Sequence, residues 1–131
     1  MTQVLDSYAV FVYLQKESGY EKVRDALSHA ADTGKNLLMT SVNWGEVYYI
    51  IKREEGDSKA EEVIQILESF PIDVVAVDQT LAKLAGSFKA SKKMSYADCF
   101  AAALAKIKKA ELLTGDKEFK EVEKEIKIAW V

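Results

Sequence analysis

Residues 37–54, LLMTSVNWGEVYYIIKRE, pass from a short apolar run directly into a pattern typical of an amphipathic helix. The run at 37–39 has the length and composition of a buried strand, and apolar residues recur every three or four positions over 41–54. The same alternation is found along the whole chain, and it indicates successive strand–helix–strand units. Such units form a parallel sheet covered by helices on both faces. The sequence therefore predicts an α/β fold, a three-layer α/β/α sandwich around a five-stranded parallel sheet.

The predicted elements leave no room for a linker. Strands are predicted at 4–5, 37–39, 74–77, 112–113 and 126–130, and helices at 7–16, 20–33, 41–54, 58–69, 79–90, 95–109 and 117–124. Glycines and the one proline fall between these elements. With 131 residues and 49% hydrophobic content, the chain can fill one core. Residues 1–131 are expected to form a single domain.

The charge balance restricts the class of partner. Eighteen Lys and Arg against 21 Asp and Glu give a net charge of −3, which disfavours nucleic-acid binding through bulk positive charge. Local basic groups remain candidates for contacts with an RNA backbone: Lys52, Arg53, Lys89, Lys92 and Lys93. A solvated helix end explains these residues equally well.

Cysteine content and hydropathy predict a cytoplasmic protein. The single cysteine, Cys99, cannot form an internal disulfide or a cysteine-based zinc site, which fits a reducing compartment. No apolar run approaches the roughly 20 residues of a membrane span, so no membrane contact or signal peptide is expected.

Four acidic residues fall where a parallel sheet places its ligands, outside the carboxyl ends of the strands. Asp6 ends the first predicted strand and Asp116 follows the fourth, while Glu46 lies in the helix after the second strand. Asp98 opens the helix that precedes the fourth strand. Together they form a set of hard oxygen ligands suited to one or two Mg²⁺ or Mn²⁺ ions.

Each acid also has a structural explanation. Asp6 and Asp116 fit helix N-caps, and Asp98 fits a capping box with Ser95. Glu46 is the hardest to explain in this way, because helical spacing places it on the same side as Val42, Tyr49 and Ile50, where an unpaired carboxylate is costly.

The chain offers no other evident catalytic group. His29, the only histidine, lies in the second predicted helix, away from the acids. Cys99 has no basic partner nearby in sequence, so a packing role is expected for it. The predicted chemistry is hydrolysis of a phosphodiester assisted by metal, without a protein nucleophile.

Four segments resemble the PIN-domain nucleases, particularly the VapC-like toxin ribonucleases of bacterial and archaeal toxin–antitoxin pairs. They are VLDS at 4–7, TSVNWGEV at 40–47, SYADCFAAA at 95–103 and LTGDKEF at 113–119. The resemblance implies strand order 3-2-1-4-5 and a metal-binding quartet of Asp6, Glu46, Asp98 and Asp116. It also implies that Ser7 and Thr114 support this quartet by hydrogen bonding.

Two positions depart from the family pattern. Tyr8 stands where a smaller polar residue commonly follows the Asp-Ser or Asp-Thr pair, and it is expected to narrow or line the pocket. Glu118 stands where an Asp is often found, so it is an auxiliary ligand candidate only.

The resemblance also implies partners. These are single-stranded or loop RNA as substrate, a second copy in a homodimer and an antitoxin protein. Trp44, Tyr48 and Tyr96 are candidates for stacking on unpaired bases, although packing in the core or a dimer explains them better. The predicted function is a metal-dependent endoribonuclease acting as the toxin of such a pair.

Two alternatives come from other functional classes. One is a non-catalytic PIN-like module that binds RNA or a partner. The other is a receiver-type signalling domain with Asp78 as phosphoacceptor, but such domains have adjacent acids after the first strand, where this chain has only Asp6. Asp78 is better explained as the N-cap of the helix after the third strand.

Overall fold

A computed structural model describes residues 1–131. The strands are β1 (Gln3–Leu5), β2 (Leu37–Thr40), β3 (Ile72–Val75), β4 (Glu111–Thr114) and β5 (Lys127–Trp130). The α-helices are α1 (Ser7–Leu14), α2 (Tyr20–Thr33), α3 (Ser41–Glu55), α4 (Asp57–Glu68), α5 (Gln79–Ser91) and α6 (Tyr96–Lys108). The last predicted helix is instead a 3₁₀ helix, Lys117–Val122.

The five strands form one parallel sheet in the order β3-β2-β1-β4-β5, as the resemblance implied. The chain moves outward from β1 to β3 and then returns to the other side of β1. The direction of strand order therefore reverses between β1 and β4, and the crevice at the carboxyl ends of these two strands is where open parallel sheets bind ligands.

Apolar side chains fill a layer on each face of the sheet. Val4 and Leu112 join the cluster under α5, α6 and the 3₁₀ helix, whereas Leu5 and Leu113 join the cluster under α1 to α4. This alternation follows from the two-residue period of a strand. None of the helices combines the length and apolar character needed to cross a membrane.

The predicted third strand was misplaced by two residues. Pairing begins earlier than predicted, because the backbone N–H of Leu37 bonds to the carbonyl of Pro71 at 2.9 Å and Ile72 lies opposite Leu37. β3 is an edge strand, and its Val74 is 48% exposed. Hydrophobicity alone is therefore a poor guide to its ends.

Candidate metal centre

Asp6 joins the ends of the two central strands. It lies directly after β1, where its Oδ1 accepts the backbone N–H of Ala9 at 2.8 Å and so caps α1. Its Oδ2 accepts the hydroxyl hydrogen of Thr114, the last residue of β4, at 2.5 Å. Only 1% of Asp6 is exposed. Asp6 is an N-cap, as its position allowed, and the same side chain also faces the neighbouring strand.

Glu46 is held next to Asp6 by the residue that follows Asp6. The hydroxyl of Ser7 donates to Oε1 of Glu46 at 2.5 Å. The predicted surroundings of Glu46 are wrong in detail: the buried side of α3 is formed by Asn43, Val47 and Ile51, and Tyr49 is 49% exposed. Glu46 is half-buried beside that stripe.

Asn43 supports the site, although its sequence position alone did not predict this role. It is fully buried, and its Oδ1 accepts the hydroxyl hydrogen of Thr40 at 2.5 Å. Its Nδ2 donates to the carbonyl of Ala97 in the first turn of α6 at 3.1 Å. A buried amide thus joins the helix that carries Glu46 to the helix that carries Asp98. An Asn three residues after a capping Thr, on the buried side of a helix, was the available signal.

Asp98 makes only one of the two hydrogen bonds of the predicted capping box. Ser95 Oγ accepts the backbone N–H of Asp98 at 3.2 Å, as a cap should. The return bond is not made by Asp98, because the backbone N–H of Ser95 donates instead to Oε1 of Glu118 at 3.3 Å. Because Glu118 accepts this bond, the Asp98 carboxylate does not bond the backbone N–H of Ser95. Asp98 is 6% exposed and lies in a helix whose next seven residues are all buried.

Asp98, Asp116 and Glu118 form a compact group. Each offers one carboxylate oxygen, and these oxygens lie within 4.8 Å of one another. Asp116 follows β4 and also caps the 3₁₀ helix by accepting the N–H of Glu118 at 3.0 Å. Asp98 is buried, Asp116 is half-buried and Glu118 is exposed, so the group opens to solvent on the side of Glu118. Asp6 and Glu46 adjoin this group without belonging to it.

Burial and mutual repulsion disfavour ionisation of the two most buried acids. Burial raises the pKa of Asp6 to about 7, and the negative charges of Asp98 and Asp116 add to this effect against the hydrogen bonds from Thr114 and Ala9. Burial also raises the pKa of Asp98 to about 7, to which the charges of Asp116, Glu118 and Glu46 contribute.

The site lacks a protein cation that could offset these charges. The ion pairs of the structure involve none of Asp6, Glu46, Asp98, Asp116 or Glu118. An uncompensated buried carboxylate group with only oxygen donors is the environment that a hard divalent cation stabilises. The residues present therefore fit a hard divalent metal ion.

The basic candidates divide into two groups. At the end of α3, Lys52 pairs with Asp57 at 3.3 Å, and Arg53 lies over the ring of Tyr49 and 3.9 Å from Glu54.

The second group lies at the end of α5 and on the loop before α6. Lys89 Nζ donates to the carbonyl of Met94 at 2.8 Å, and Lys92 pairs with Glu125 at 3.5 Å. Lys93 is exposed and makes no ion pair, while its backbone N–H donates to Glu121 at 3.0 Å. Of these three lysines, only Lys93 has an ammonium that makes no ion pair or hydrogen bond.

Three residues lie outside the site. His29 is exposed on α2, and Cys99 is buried among core side chains, where burial raises the pKa of its thiol. Asp78 caps α5 by accepting the N–H of Leu81 at 2.8 Å, as predicted, after the edge strand β3.

The sequence itself also matches a known family. A family model described as PIN domain matches residues 4–125. The chain belongs to the PIN domain family. This confirms the resemblance found in the four acidic segments, and the receiver-type alternative is wrong. No curated protein matches this PIN domain.

Solved structures match the fold of this PIN domain along its whole length. VapBC2 from Rickettsia felis, bound to a DNA fragment from its promoter, has a TM-score of 0.77 at 15% identity, with 100% of this chain and 99% of that chain covered. Mycobacterium tuberculosis VapC20, a toxin that cleaves the sarcin-ricin loop, has a TM-score of 0.71 at 15% identity, with 91% and 93% covered. A toxin–antitoxin complex from Klebsiella pneumoniae has a TM-score of 0.66 at 15% identity, with 98% and 96% covered.

Proposed function

We propose that this PIN domain is a divalent-metal-dependent endoribonuclease and the toxin of a toxin–antitoxin pair. The observation that supports the activity is the group of Asp98, Asp116 and Glu118, with Asp6 and Glu46 beside it and no protein cation among them. Similarity of fold to a toxin that cleaves the sarcin-ricin loop supports RNA as the substrate class.

The proposed metal ligands are Asp6, Glu46, Asp98 and Asp116, with Glu118 as an auxiliary ligand. One or two Mg²⁺ or Mn²⁺ ions bound there would activate water and neutralise charge on the phosphodiester. The hydroxyl of Thr114 orients Asp6, and the hydroxyl of Ser7 orients Glu46. Ser7 and Thr114 thus fix the direction of two carboxylates that stand on different strands and helices.

The basic candidate residues are assigned to contacts with the RNA substrate. The exposed edge at Glu118 is where the RNA backbone enters, and the ammonium of Lys93 on the adjoining loop contacts a phosphate. Lys89 and Lys92 hold that loop through Met94 and Glu125. Lys52 and Arg53, which already have acidic neighbours, make the weaker contribution.

We also propose two protein partners. An antitoxin is supported by the fold likeness to a toxin–antitoxin complex. An acidic crevice without a cation of its own favours an antitoxin that supplies a basic side chain to it. A homodimer is the expected form of the toxin.

The test is cleavage of a structured RNA pool by the purified protein with Mg²⁺ or Mn²⁺, with EDTA as the metal-free arm. We expect products that require metal and disappear in Asp98→Asn and in Asp6→Asn. Asp78→Asn is the matched control, because Asp78 is also a helix-capping aspartate but lies outside the site. It should cleave like the parent protein.

Two results would contradict the proposal. Products that persist in EDTA would exclude the metal, and full activity in Asp98→Asn would exclude this group as the site. If every protein fails to cleave while a folded state is confirmed by circular dichroism, the non-catalytic RNA- or partner-binding alternative is favoured.

A further inference from the structure

Tyr8 is a large, exposed aromatic residue at the edge of the acidic site. It follows Ser7, whose hydroxyl bonds Glu46, and it is two residues from Asp6. Its side chain is 42% exposed, and its hydroxyl makes no hydrogen bond within the protein. Part of the ring and its hydroxyl are therefore available to a ligand.

The ring of Tyr8 rests on Gly115. A Cβ atom at Gly115 would lie 2.6 Å from Cε1 of Tyr8, which is closer than side chains approach one another, and 3.2 Å from Cγ2 of Val131. Gly115 does not have a positive φ, unlike Gly19, Gly34 and Gly56, so its backbone conformation does not require glycine. The close approach of the Tyr8 ring, with Val131 beside it, is what favours glycine at this position.

The contact with Gly115 places the Tyr8 ring next to the proposed metal ligands. Gly115 stands between Thr114, which bonds Asp6, and Asp116, which belongs to the compact acidic group. The ring thus lies between the ends of β1 and β4, at the crevice itself, with part of its surface open to solvent.

The other aromatic candidates pack against aromatic neighbours, although Tyr96 is itself 51% exposed. Trp44 and Tyr48 stack on each other with centroids 6.2 Å apart, and both pack against the core. Tyr96 packs edge-on against Phe100 with centroids 4.8 Å apart. Tyr8 has no aromatic partner.

We propose that Tyr8 is the base-stacking residue of this site and selects RNA with an unpaired nucleobase beside the scissile phosphate. An exposed aromatic ring held against a glycine offers a fixed surface for an unstacked base, and such stacking tolerates any base because each has a π-face. The inference rests on the proposed ribonuclease function, and it specifies that the substrate is single-stranded or looped at the cleavage point.

The first experiment compares Tyr8→Ala with Tyr8→Phe on one RNA loop substrate that the parent protein cleaves. We expect KM to rise about tenfold or more in Tyr8→Ala, with kcat changed less than about threefold, and Tyr8→Phe to match the parent. The same RNA with an abasic site beside the scissile bond should remove the difference between Tyr8→Ala and the parent. Equal KM in Tyr8→Ala and the parent would overturn the proposal, as would equal losses in Ala and Phe variants.

Gly115 provides an internal check on the geometry. Gly115→Ala should displace the ring and raise KM in the same direction as Tyr8→Ala. In the double variant, the alanine at 115 should add no further increase, because the ring is already absent. A fully additive double variant would show that Gly115 acts through another neighbour, such as Val131 or Asp116, and it would overturn the proposed contact between Tyr8 and Gly115.

A binding measurement separates failure of this inference from failure of the nuclease proposal. Fluorescence anisotropy with a labelled single-stranded oligonucleotide is measured on the Asp98→Asn protein, with and without Tyr8→Ala, so that cleavage is not needed. A rise in Kd of about tenfold on loss of the ring supports stacking even if no RNA is cleaved. Unchanged or unmeasurable binding overturns it.

Discussion

The hydroxyl of Thr114 donates a 2.5 Å hydrogen bond to Oδ2 of Asp6, and this bond joins the carboxyl ends of the two central strands. It also favours the charged form of a carboxylate that burial otherwise keeps protonated near neutral pH. One hydroxyl therefore affects both the packing of β1 against β4 and the ionisation of a proposed metal ligand.

Thr114→Val should raise the pKa of Asp6 above its value of about 7, because the donor that lowers this pKa is lost. The acidic limb of the pH profile of RNA cleavage should then move to higher pH. The free energy of unfolding should fall by about 1–3 kcal/mol, because the buried Asp6 carboxylate loses a hydrogen-bond donor. Thr114→Ser keeps the hydroxyl and should keep the profile, whereas an unmoved profile in Thr114→Val would contradict this role.

The metal-free protein should be more stable at pH 5 than at pH 7. Asp6 and Asp98 have pKa values of about 7 in the folded state against 3.8 as ordinary carboxyls, so the folded protein holds protons that the unfolded chain has lost. Their contribution to stability is complete below about pH 4 and is lost as the pH rises to about 7. The slope is at most about 1.4 kcal/mol per pH unit for each proton.

Urea denaturation in EDTA at several pH values measures this dependence. Asp98→Asn removes one of the two titrating groups, so its stability should fall less steeply between pH 5 and pH 7 than that of the parent. Identical slopes in the two proteins would contradict the raised pKa of Asp98.

Asn43→Ala should weaken both the fold and the activity. The substitution removes the buried amide that bonds Thr40 and the carbonyl of Ala97, at a cost of about 1–3 kcal/mol. Displacement of α6 relative to α3 should lower kcat about tenfold to a hundredfold, because Glu46 and Asp98 no longer keep their spacing.

Asn36 offers the control for this substitution. Its amide bonds Asp73 on the exposed surface at 2.9 Å, so Asn36→Ala should change stability by less than about 0.5 kcal/mol. Thermal unfolding and cleavage rates of the two variants give the comparison. Full activity in a destabilised Asn43→Ala would restrict Asn43 to the fold.

Glu118→Gln should lower metal affinity several-fold while the melting temperature stays within about 2 °C of the parent. Gln keeps a carbonyl oxygen for the N–H of Ser95 but removes one negative charge from the group with Asp98 and Asp116. Isothermal titration with Mn²⁺ measures the affinity.

Glu121→Gln is the matched variant for Glu118→Gln. Glu121 accepts the N–H of Lys93 on the same loop but lies outside the acidic group, so its metal affinity should equal that of the parent. Equal affinity in both variants would remove Glu118 from the set of ligands.

The fold and the positions of the main acids follow from local patterns. Apolar runs before Asp6 and Asp116 predicted strands, and parallel strands end at one edge of a sheet. The ends of β3 could not be predicted from apolar runs. β3 is an edge strand with an exposed Val74, and the residues at which it begins and ends are set by its pairing with β2.

Contacts between distant segments account for the rest. The capping box at Ser95 predicted that Asp98 would bond the cap, but Glu118, 23 residues away, takes that bond. The buried bond from Asn43 to Ala97 spans 54 residues. The contact between Tyr8 and Gly115 likewise depends on β1 lying beside β4. Local sequence periodicity carries no information on such pairs.

The double use of Asp6 has an evolutionary consequence. One of its oxygens caps α1 and the other bonds β4, so a descendant of this chain that lost catalysis would still use Asp6 to join α1 to β4. Glu46 bonds only the Ser7 hydroxyl, so its replacement in the same lineage would remove one hydrogen bond from the fold. Under the proposed nuclease function, Glu46 therefore serves chiefly the metal site, whereas Asp6 serves both the metal site and the fold.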